Sequence, residues 1–92
     1  MRRLLIVDDE AIITDGVAEV LGKLQIPGLE ICKAYSGSEA VEWLNHTRID
    51  IVVSDIRMPE IDGLELLDII RRDWPRCRVI FMTGYHDFDP VY

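Results

Sequence analysis

Three short runs of almost uninterrupted apolar residues constrain the fold of this chain more than any other feature. They occupy residues 4–7, 51–53 and 79–82. Runs of this length that are apolar at nearly every position are typical of strands buried on both faces, as in a parallel sheet. A further segment, residues 30–35, mixes charged and apolar side chains, which indicates a strand at the edge of a sheet. The sequence therefore predicts four strands.

Helical patterns fill the three segments between the predicted strands. In the first segment, apolar residues recur at helical spacing along one face that we expect to point inward: Ile13, Val17, Val20, Leu21 and Leu24. The second helix is expected to begin at a capping box that starts at Ser36, and the third at an N-cap formed by Asp62. Pro75 disfavours helical geometry at Trp74 and so ends the third helix. Four strands that alternate with three helices predict an α/β fold with right-handed crossovers between parallel strands.

The charge of the chain narrows the classes of partner. Its 92 residues carry a net charge of −7, which does not suit nucleic acid, because phosphates need a basic surface. No apolar run approaches the roughly 20 residues of a membrane-spanning helix. Cys32 and Cys77 are too few for a disulfide framework. We therefore expect one cytoplasmic domain with reduced cysteines, without direct nucleic-acid binding and without a membrane segment.

Acidic side chains follow the ends of two predicted strands. Asp8 and Asp9 follow the first strand and Asp55 follows the third, while Thr83 comes after the fourth. Because open α/β sheets bind ligands at the carboxyl ends of their strands, we expect these three carboxylates and this hydroxyl at one edge. Neighbouring carboxylates repel one another unless they share a proton or bind a cation, and an all-oxygen ligand set suits Mg²⁺. A carboxylate beside Mg²⁺ can act as a nucleophile and form an acyl phosphate.

Four short motifs, spread in order along the chain, carry a family resemblance: Val7-Asp8-Asp9-Glu10, Ser54-Asp55-Ile56-Arg57-Met58-Pro59, Ile61-Asp62-Gly63 and Met82-Thr83-Gly84. Together they resemble the receiver domains of two-component signalling. The resemblance implies a flavodoxin-like, doubly wound parallel sheet with the strand order 2-1-3-4. Residues 83–88 are similar to receivers that are often fused to AraC-type DNA-binding domains.

The resemblance also implies a role for each site residue. Asp55 would accept a phosphoryl group from a sensor histidine kinase. Mg²⁺ would be held by Asp8, Asp9 and Asp55 together with the backbone carbonyl of Arg57, and Thr83 would supply the hydroxyl that moves toward the phosphate. A receiver of this kind is a conformational switch and not an enzyme. It would act on a C-terminal output domain of the parent protein, which can be DNA-binding.

The chain departs from the family pattern at its C-terminal end. Receivers carry a lysine at the end of a fifth strand, but the lysines here, Lys23 and Lys33, fall on the first helix and the second strand. The ten residues that follow Met82 are too few for another crossover and strand. We therefore interpret residues 1–92 as one receiver domain that is incomplete at the C-terminus and lacks the fifth strand and fifth helix. We expect the bare edge of the fourth strand to promote a non-native or swapped dimer.

Three alternative interpretations remain open. A phosphorylation-independent interaction module, or pseudo-receiver, would use the same fold without phosphate chemistry. A Mg²⁺-dependent phosphatase similar to the haloacid dehalogenases would also use a nucleophilic aspartate after a strand. That family needs a second aspartate two residues later, where this chain has Arg57. Residues 8–10 can also be interpreted as an N-cap cluster of the first helix, since carboxylates favour that end.

Overall fold

The computed structural model describes residues 1–82. Its elements follow one another along the chain as β1 (Arg2–Val7), α1 (Ala11–Lys23), β2 (Leu29–Ala34), α2 (Gly37–His46), β3 (Ile51–Asp55), α3 (Gly63–Asp73) and β4 (Arg78–Met82). All pairings are parallel and the sheet order is β2-β1-β3-β4. The predicted fold class, strand order and alternation of elements are confirmed. Within residues 1–82 no helix is both long enough and apolar enough to cross a membrane.

The hydrophobic core lies between the sheet and the pair α2 and α3. Successive side chains of a strand point to opposite faces, so Leu5 and Val7 of β1 face this core while Leu4 and Ile6 face the other side of the sheet. Leu5 and Val7 are fully buried, and the core is completed by residues of β2, β3, α2, α3 and the loops: Cys32, Ala34, Ala40, Leu44, Ile49, Val52, Met58, Leu66 and Ile70. Right-handed crossovers place α1 on the opposite face, and there it contacts β1 and β2.

The predicted inward face of α1 is wrong in part. Its only buried residue is Thr14, which the apolar pattern does not include. Ile13 is 41% exposed, Val20 63% and Leu24 61%, whereas Val17 and Leu21 are half-buried. The helical pattern identifies residues that share a face, but a residue on that face is buried only where another element packs over it. Among the described elements, α1 packs mainly against β1 and β2.

The predicted starts of α2 and α3 are confirmed, with one change of detail. The Ser36 side chain accepts a hydrogen bond from the Glu39 amide at 3.0 Å, but the Glu39 carboxylate accepts from the Tyr35 amide rather than from that of Ser36. At α3 the capping box is complete. The Asp62 carboxylate accepts from the Glu65 amide at 2.8 Å and the Glu65 carboxylate accepts from the Asp62 amide at 3.1 Å. These bonds satisfy amides that the helix itself leaves without partners.

The outer strands and the cysteines also follow the predictions. β2 forms one edge of the sheet, as its mixed composition indicates, and β4 forms the other. On β4 the side chain of Ile80 is 55% exposed. Cys32 and Cys77 are both free thiols, the first buried and the second half-buried.

Candidate functional site

The pairing of β1 with β3 brings the two acidic motifs together. Val7, the last residue of β1, is the register partner of Ser54 on β3. Asp8 and Asp9 therefore leave β1 at the level where Asp55 ends β3. Because both strands are parallel and adjacent, side chains that are 46 positions apart in the sequence meet at the carboxyl edge of the sheet.

The three carboxylates form one cluster. One carboxylate oxygen from each of Asp8, Asp9 and Asp55 lies within 4.8 Å of the other two. Asp8 is buried, Asp55 is half-buried and Asp9 is exposed, so the cluster is open to solvent on one side. A set of carboxylate oxygens that combines a buried and an exposed member fits a hard cation such as Mg²⁺, which usually binds one or two carboxylates and keeps several waters. We call this cluster the acidic pocket.

The neighbouring carboxylates of the acidic pocket repel one another, and this repulsion disfavours the ionised form of Asp8. The pKa of Asp8 is raised from 3.8 to about 6, chiefly by burial and to a smaller extent by the negative charges of Asp55, Asp9 and Glu10. A single contact acts in the opposite direction, the hydrogen bond that the Glu10 amide donates to Asp8 Oδ1 at 2.9 Å. A divalent cation in the pocket would replace the repulsion between the carboxylates by attraction.

Hydrogen bonds fix the two chain segments that carry the acids. The Ile56 amide donates to Asp55 Oδ1 at 2.9 Å, which orients the carboxylate that ends β3. Ser54, fully buried, donates through Oγ to the Asp55 carbonyl oxygen at 2.8 Å. On the other segment Thr14 Oγ1 donates to the Asp8 carbonyl oxygen at 2.8 Å. These hydrogen bonds hold the main chain at Asp8 and at Asp55, and so position the two carboxylates.

The alternative interpretation of residues 8–10 as an N-cap cluster is confirmed in position, since they lead into α1, but not as side-chain capping by Glu10. Glu10 occupies the N-cap position of α1, yet its side chain makes no capping hydrogen bond. The Asp8 carboxylate accepts a hydrogen bond from the Glu10 amide in the turn that leads into α1, and it also lies close to the carboxylates of Asp9 and Asp55.

Two residues support the site through roles that were not predicted from the sequence. Thr14 is fully buried and anchors the backbone of Asp8. A hydroxyl inside an otherwise apolar helix face is the signal that points to such a role. Gly63, the first residue of α3, donates its amide to the Ile56 carbonyl oxygen at 2.7 Å, and a Cβ atom at this position would overlap the Asp55 carbonyl oxygen. Its signal is a glycine directly after an N-cap aspartate.

The remaining predicted site residues lie in or beyond the loop that follows Asp55. Arg57 lies two residues after Asp55 and its side chain is exposed, as expected for a residue that would contribute only a carbonyl. Met58 is 8% exposed and joins the core, while Glu60 has a φ of 65°, in the left-handed region. Thr83 lies outside the described residues.

Comparison with known sequences finds one family. A model of the response regulator receiver domain matches residues 4–91. The chain is 36% identical over 89 residues to the uncharacterized transcriptional regulatory protein YesN of Bacillus subtilis, an alignment that covers 97% of this chain and 24% of that protein. It is 37% identical over 83 residues to the transcriptional regulatory protein GlrR of Escherichia coli, covering 89% of this chain and 18% of that protein. The chain therefore spans a quarter or less of the length of these relatives.

Solved structures share the fold over nearly the whole chain. A two-component transcriptional regulator AraC from Clostridium phytofermentans is 37% identical with a TM-score of 0.81, covering 99% of this chain and 73% of that one. The response regulator protein TrrA from Thermotoga maritima, in complex with Mg(2+)-BeF, is 35% identical with a TM-score of 0.83, covering 99% and 76%. A complex of TrrA with the histidine kinase ThkA gives 38% identity and a TM-score of 0.80, covering 92% and 71%.

Proposed function

The chain belongs to the response regulator receiver domain family, and on that premise we propose that it accepts a phosphoryl group on Asp55 from a sensor histidine kinase, with Mg²⁺ in the acidic pocket. The single observation that carries this proposal is the convergence of the Asp8, Asp9 and Asp55 carboxylates within 4.8 Å of one another. The relative solved with Mg(2+)-BeF and the complex of that relative with a histidine kinase support it.

Each residue of the acidic pocket has a distinct part in the proposed reaction. A carboxylate oxygen of Asp55 forms the bond to phosphorus while the bond from phosphorus to the donor breaks, and the electron pair of that bond leaves with the donor. The hydrogen bond from the Ile56 amide holds the Asp55 carboxylate in one orientation during the transfer. Bound Mg²⁺ would neutralise charge on the phosphoryl oxygens. Asp8, Asp9, Asp55 and the carbonyl of Arg57 would hold it.

The proposed switch begins with the charge added at Asp55. A phosphoryl group brings roughly −1.5 to −2 charges, beside a pocket in which Asp8 already has a raised pKa. We propose that the Thr83 hydroxyl answers this charge by donating a hydrogen bond to a phosphoryl oxygen. The contact would draw the residues after β4 toward Asp55, and β4 is the neighbour of β3, with Met82 the register partner of Asp55.

The proposed partners follow from the relatives. The curated relatives are transcriptional regulatory proteins, and a similar solved chain is an AraC-type regulator. We propose that residues 1–92 are the receiver domain of a regulator whose output domain contacts DNA. The chain itself has a net charge of −7, so that DNA contact would be made by the output domain and not by the receiver.

Phosphorylation by a small donor tests the proposal directly. The chain is incubated with acetyl phosphate and Mg²⁺, and intact mass is measured for the wild type and for Asp55→Asn. We expect the mass of one phosphoryl group to be gained by the wild type, not by Asp55→Asn, and not when a chelator removes Mg²⁺. Asp68→Asn, which removes an exposed carboxylate of α3, should be modified like the wild type.

Three results would contradict the proposal. Modification of Asp55→Asn to the wild-type extent would place the acceptor elsewhere. No modification of the chain or of its parent protein, together with unchanged partner binding by Asp55→Asn, would favour the phosphorylation-independent module. Steady release of inorganic phosphate from phosphate monoesters would favour the phosphatase.

A further inference from the structure

A groove lies at the amino ends of β3 and β4, and the acidic pocket lies at the opposite, carboxyl ends of the strands. It runs between residues 47–50, which precede β3, and residues 74–77, which precede β4, and it has a volume of about 580 Å³. Because the strands are parallel, the starts of β3 and β4 lie at one edge of the sheet while Asp8 and Asp55 lie at the other. We call this feature the basal groove. None of its residues belongs to the acidic pocket.

The floor of the basal groove is apolar and well supported. Leu44 and Ile49 line it and are 5% and 6% exposed, as members of the hydrophobic core. Trp74 and Cys77 line it from the other side and pack against the same core. Burial and the neighbouring Asp50 charge raise the pKa of the Cys77 thiol to about 11, so this sulfur is neutral and adds to the apolar surface. A floor of this kind can hold an apolar or aromatic body.

The acidic groups of the basal groove are already engaged. Asp50 accepts the Arg3 amide at 2.8 Å and lies 3.5 Å from Arg48 Nε. Asp73 accepts Arg72 through both carboxylate oxygens, at 3.0 and 3.1 Å. Each of these two carboxylates is therefore matched by one arginine.

The basal groove also contains an arginine, Arg76, that is not paired with an acid of the described residues. Arg76 lines the groove, and among residues 1–82 it forms no ion pair. Arginines also begin β1 and β4, at Arg2 and Arg78, and Arg71 lies in the last turn of α3. The local charge of this end is therefore positive although the whole chain is acidic, and the fixed donors of Arg76 can bind a carboxylate, sulfonate or phosphate group.

We propose that the basal groove binds a small organic anion, with its apolar body against Trp74 and Ile49 and its anionic group on Arg76. The volume of the groove lies within the roughly 300–1,000 Å³ that small-ligand sites occupy. The charge distribution favours an anion over a cation, since within residues 1–82 Asp50 and Asp73 are paired with arginines while Arg76 has no ion-pair partner. The site is independent of the proposed function, because it shares no residue with the acidic pocket.

The probe for this proposal is anilinonaphthalene sulfonate, which joins an aromatic body to one anionic group. We expect its fluorescence to rise on titration with the chain, and the amide resonances that shift in isotopically labelled chain to cluster in residues 44–50 and 73–77. Phenylnaphthylamine, its uncharged counterpart, should bind about tenfold more weakly, because it lacks the charge-assisted contact to Arg76.

Two variants, Arg76→Gln and Arg71→Gln, distinguish binding in the basal groove from a general effect of positive charge. Arg76→Gln should weaken binding of the sulfonate probe about tenfold and leave phenylnaphthylamine unchanged. Arg71→Gln removes the same charge from an exposed position that does not line the groove, and it should leave both affinities unchanged. Circular dichroism and thermal unfolding of both variants should match the wild type, which tests that they are folded.

The proposal would be overturned by shifted resonances on the exposed apolar residues of α1, such as Val20 and Leu24, in place of the groove. Equal affinities for the sulfonate probe and the uncharged probe would overturn the proposed contact between the anionic group and Arg76. Equal losses of affinity for the sulfonate probe in Arg76→Gln and Arg71→Gln would overturn it too. Phosphorylation of Asp55 need not occur for any of these measurements, so a failed phosphorylation assay and a failed binding assay remain distinguishable.

Discussion

The Cα atom of Gly63 lies directly against the main chain of Asp55, so closely that a Cβ atom at position 63 would overlap the Asp55 carbonyl oxygen. The Gly63 amide also donates to the Ile56 carbonyl oxygen at 2.7 Å. These contacts join the start of α3 to the end of β3. The position of the proposed phosphoacceptor therefore depends on a glycine eight positions away, because a side chain at position 63 would collide with the main chain of Asp55.

A methyl group at position 63 should disturb both stability and the site. We expect Gly63→Ala to lower the free energy of unfolding by roughly 1–3 kcal/mol, because backbone atoms must move to accept the added carbon. It should also weaken Mg²⁺ binding, since the main chain of Asp55 is the part that moves. Urea unfolding and a Mg²⁺ titration measure the two effects.

Gly16→Ala is the matched control for this substitution. Gly16 lies inside α1, and an added Cβ would meet no atom within 4 Å. Alanine there should raise the free energy of unfolding by about 0.5–1 kcal/mol, as in any exposed helix interior. A Gly63→Ala variant as stable as Gly16→Ala would contradict the close contact.

The raised pKa of Asp8 predicts a pH dependence for the metal-free chain. The pKa is about 6 in the folded chain and 3.8 is the ordinary value, so between these pH values the folded chain binds more protons than the unfolded chain. The contribution of Asp8 to stability therefore falls as pH rises from about 4 to about 6. Well above pH 6 the ionised Asp8 should cost on the order of 3 kcal/mol.

Asp8→Asn isolates this effect, because an amide keeps the acceptor for the Glu10 amide and cannot ionise. In a chelating buffer at pH 7 the variant should be more stable than the wild type, and the difference should shrink as the pH is lowered to 5. The measurement is urea unfolding of both proteins across this range. A difference that does not change with pH would show that Asp8 does not carry the titration.

Mg²⁺ should stabilise the chain through the acidic pocket. At a Mg²⁺ concentration ten times its Kd, the free energy of unfolding should rise by about 1.4 kcal/mol, because the ion binds the folded state alone. Asp9→Asn removes the exposed member of the pocket and should abolish most of this rise. Asp68→Asn, an exposed acid of α3, should retain it. Thermal unfolding with and without Mg²⁺ decides between a specific site and general charge screening.

The edge of β4 should promote self-association of this chain. Among residues 1–82, β4 pairs with β3 alone, and Ile80 on it is 55% exposed. Ile80→Lys should reduce the associated fraction in sedimentation velocity, since a lysine on an edge strand opposes pairing with another chain. Leu64, on α3, is also 55% exposed, and Leu64→Lys should change association little. A wild-type chain that is monomeric at every concentration tested would contradict this prediction.

The strands and helix starts could be predicted because their causes are local. A run such as residues 51–53 can be satisfied only where both faces of a strand are covered, and β3 lies between β1 and β4. Ser36 and Asp62 cap the helices predicted for them, since a side-chain oxygen there reaches an amide three residues later. The capping box predicted at Ser36 was wrong about the partner of the Glu39 carboxylate, which accepts from the Tyr35 amide, because the direction in which the chain enters a helix depends on the preceding strand.

The inward face of α1 shows where local patterns cease to be sufficient. Val17 and Val20 have the same apolar character, yet the first is half-buried and the second 63% exposed. Burial on this face depends on which of its residues meet β1 and β2, and the sequence of the helix does not encode that. Thr14 is buried for the same kind of reason, since the Asp8 carbonyl oxygen lies within reach of its hydroxyl.

By itself the sequence determined the order of strands and helices, the capping residues and the family, together with the three acids expected at one edge. Those features depend on side-chain type and short spacing, which are present in the unfolded chain. Tertiary structure alone decided that Asp8 is the buried and hard-to-ionise acid while Asp9 is exposed, that Gly63 must lack a side chain, and that a groove lined by Arg76 opens at the amino ends of β3 and β4. Each of these depends on distances between residues remote in sequence, which exist only after the strands have paired and the helices have packed on them.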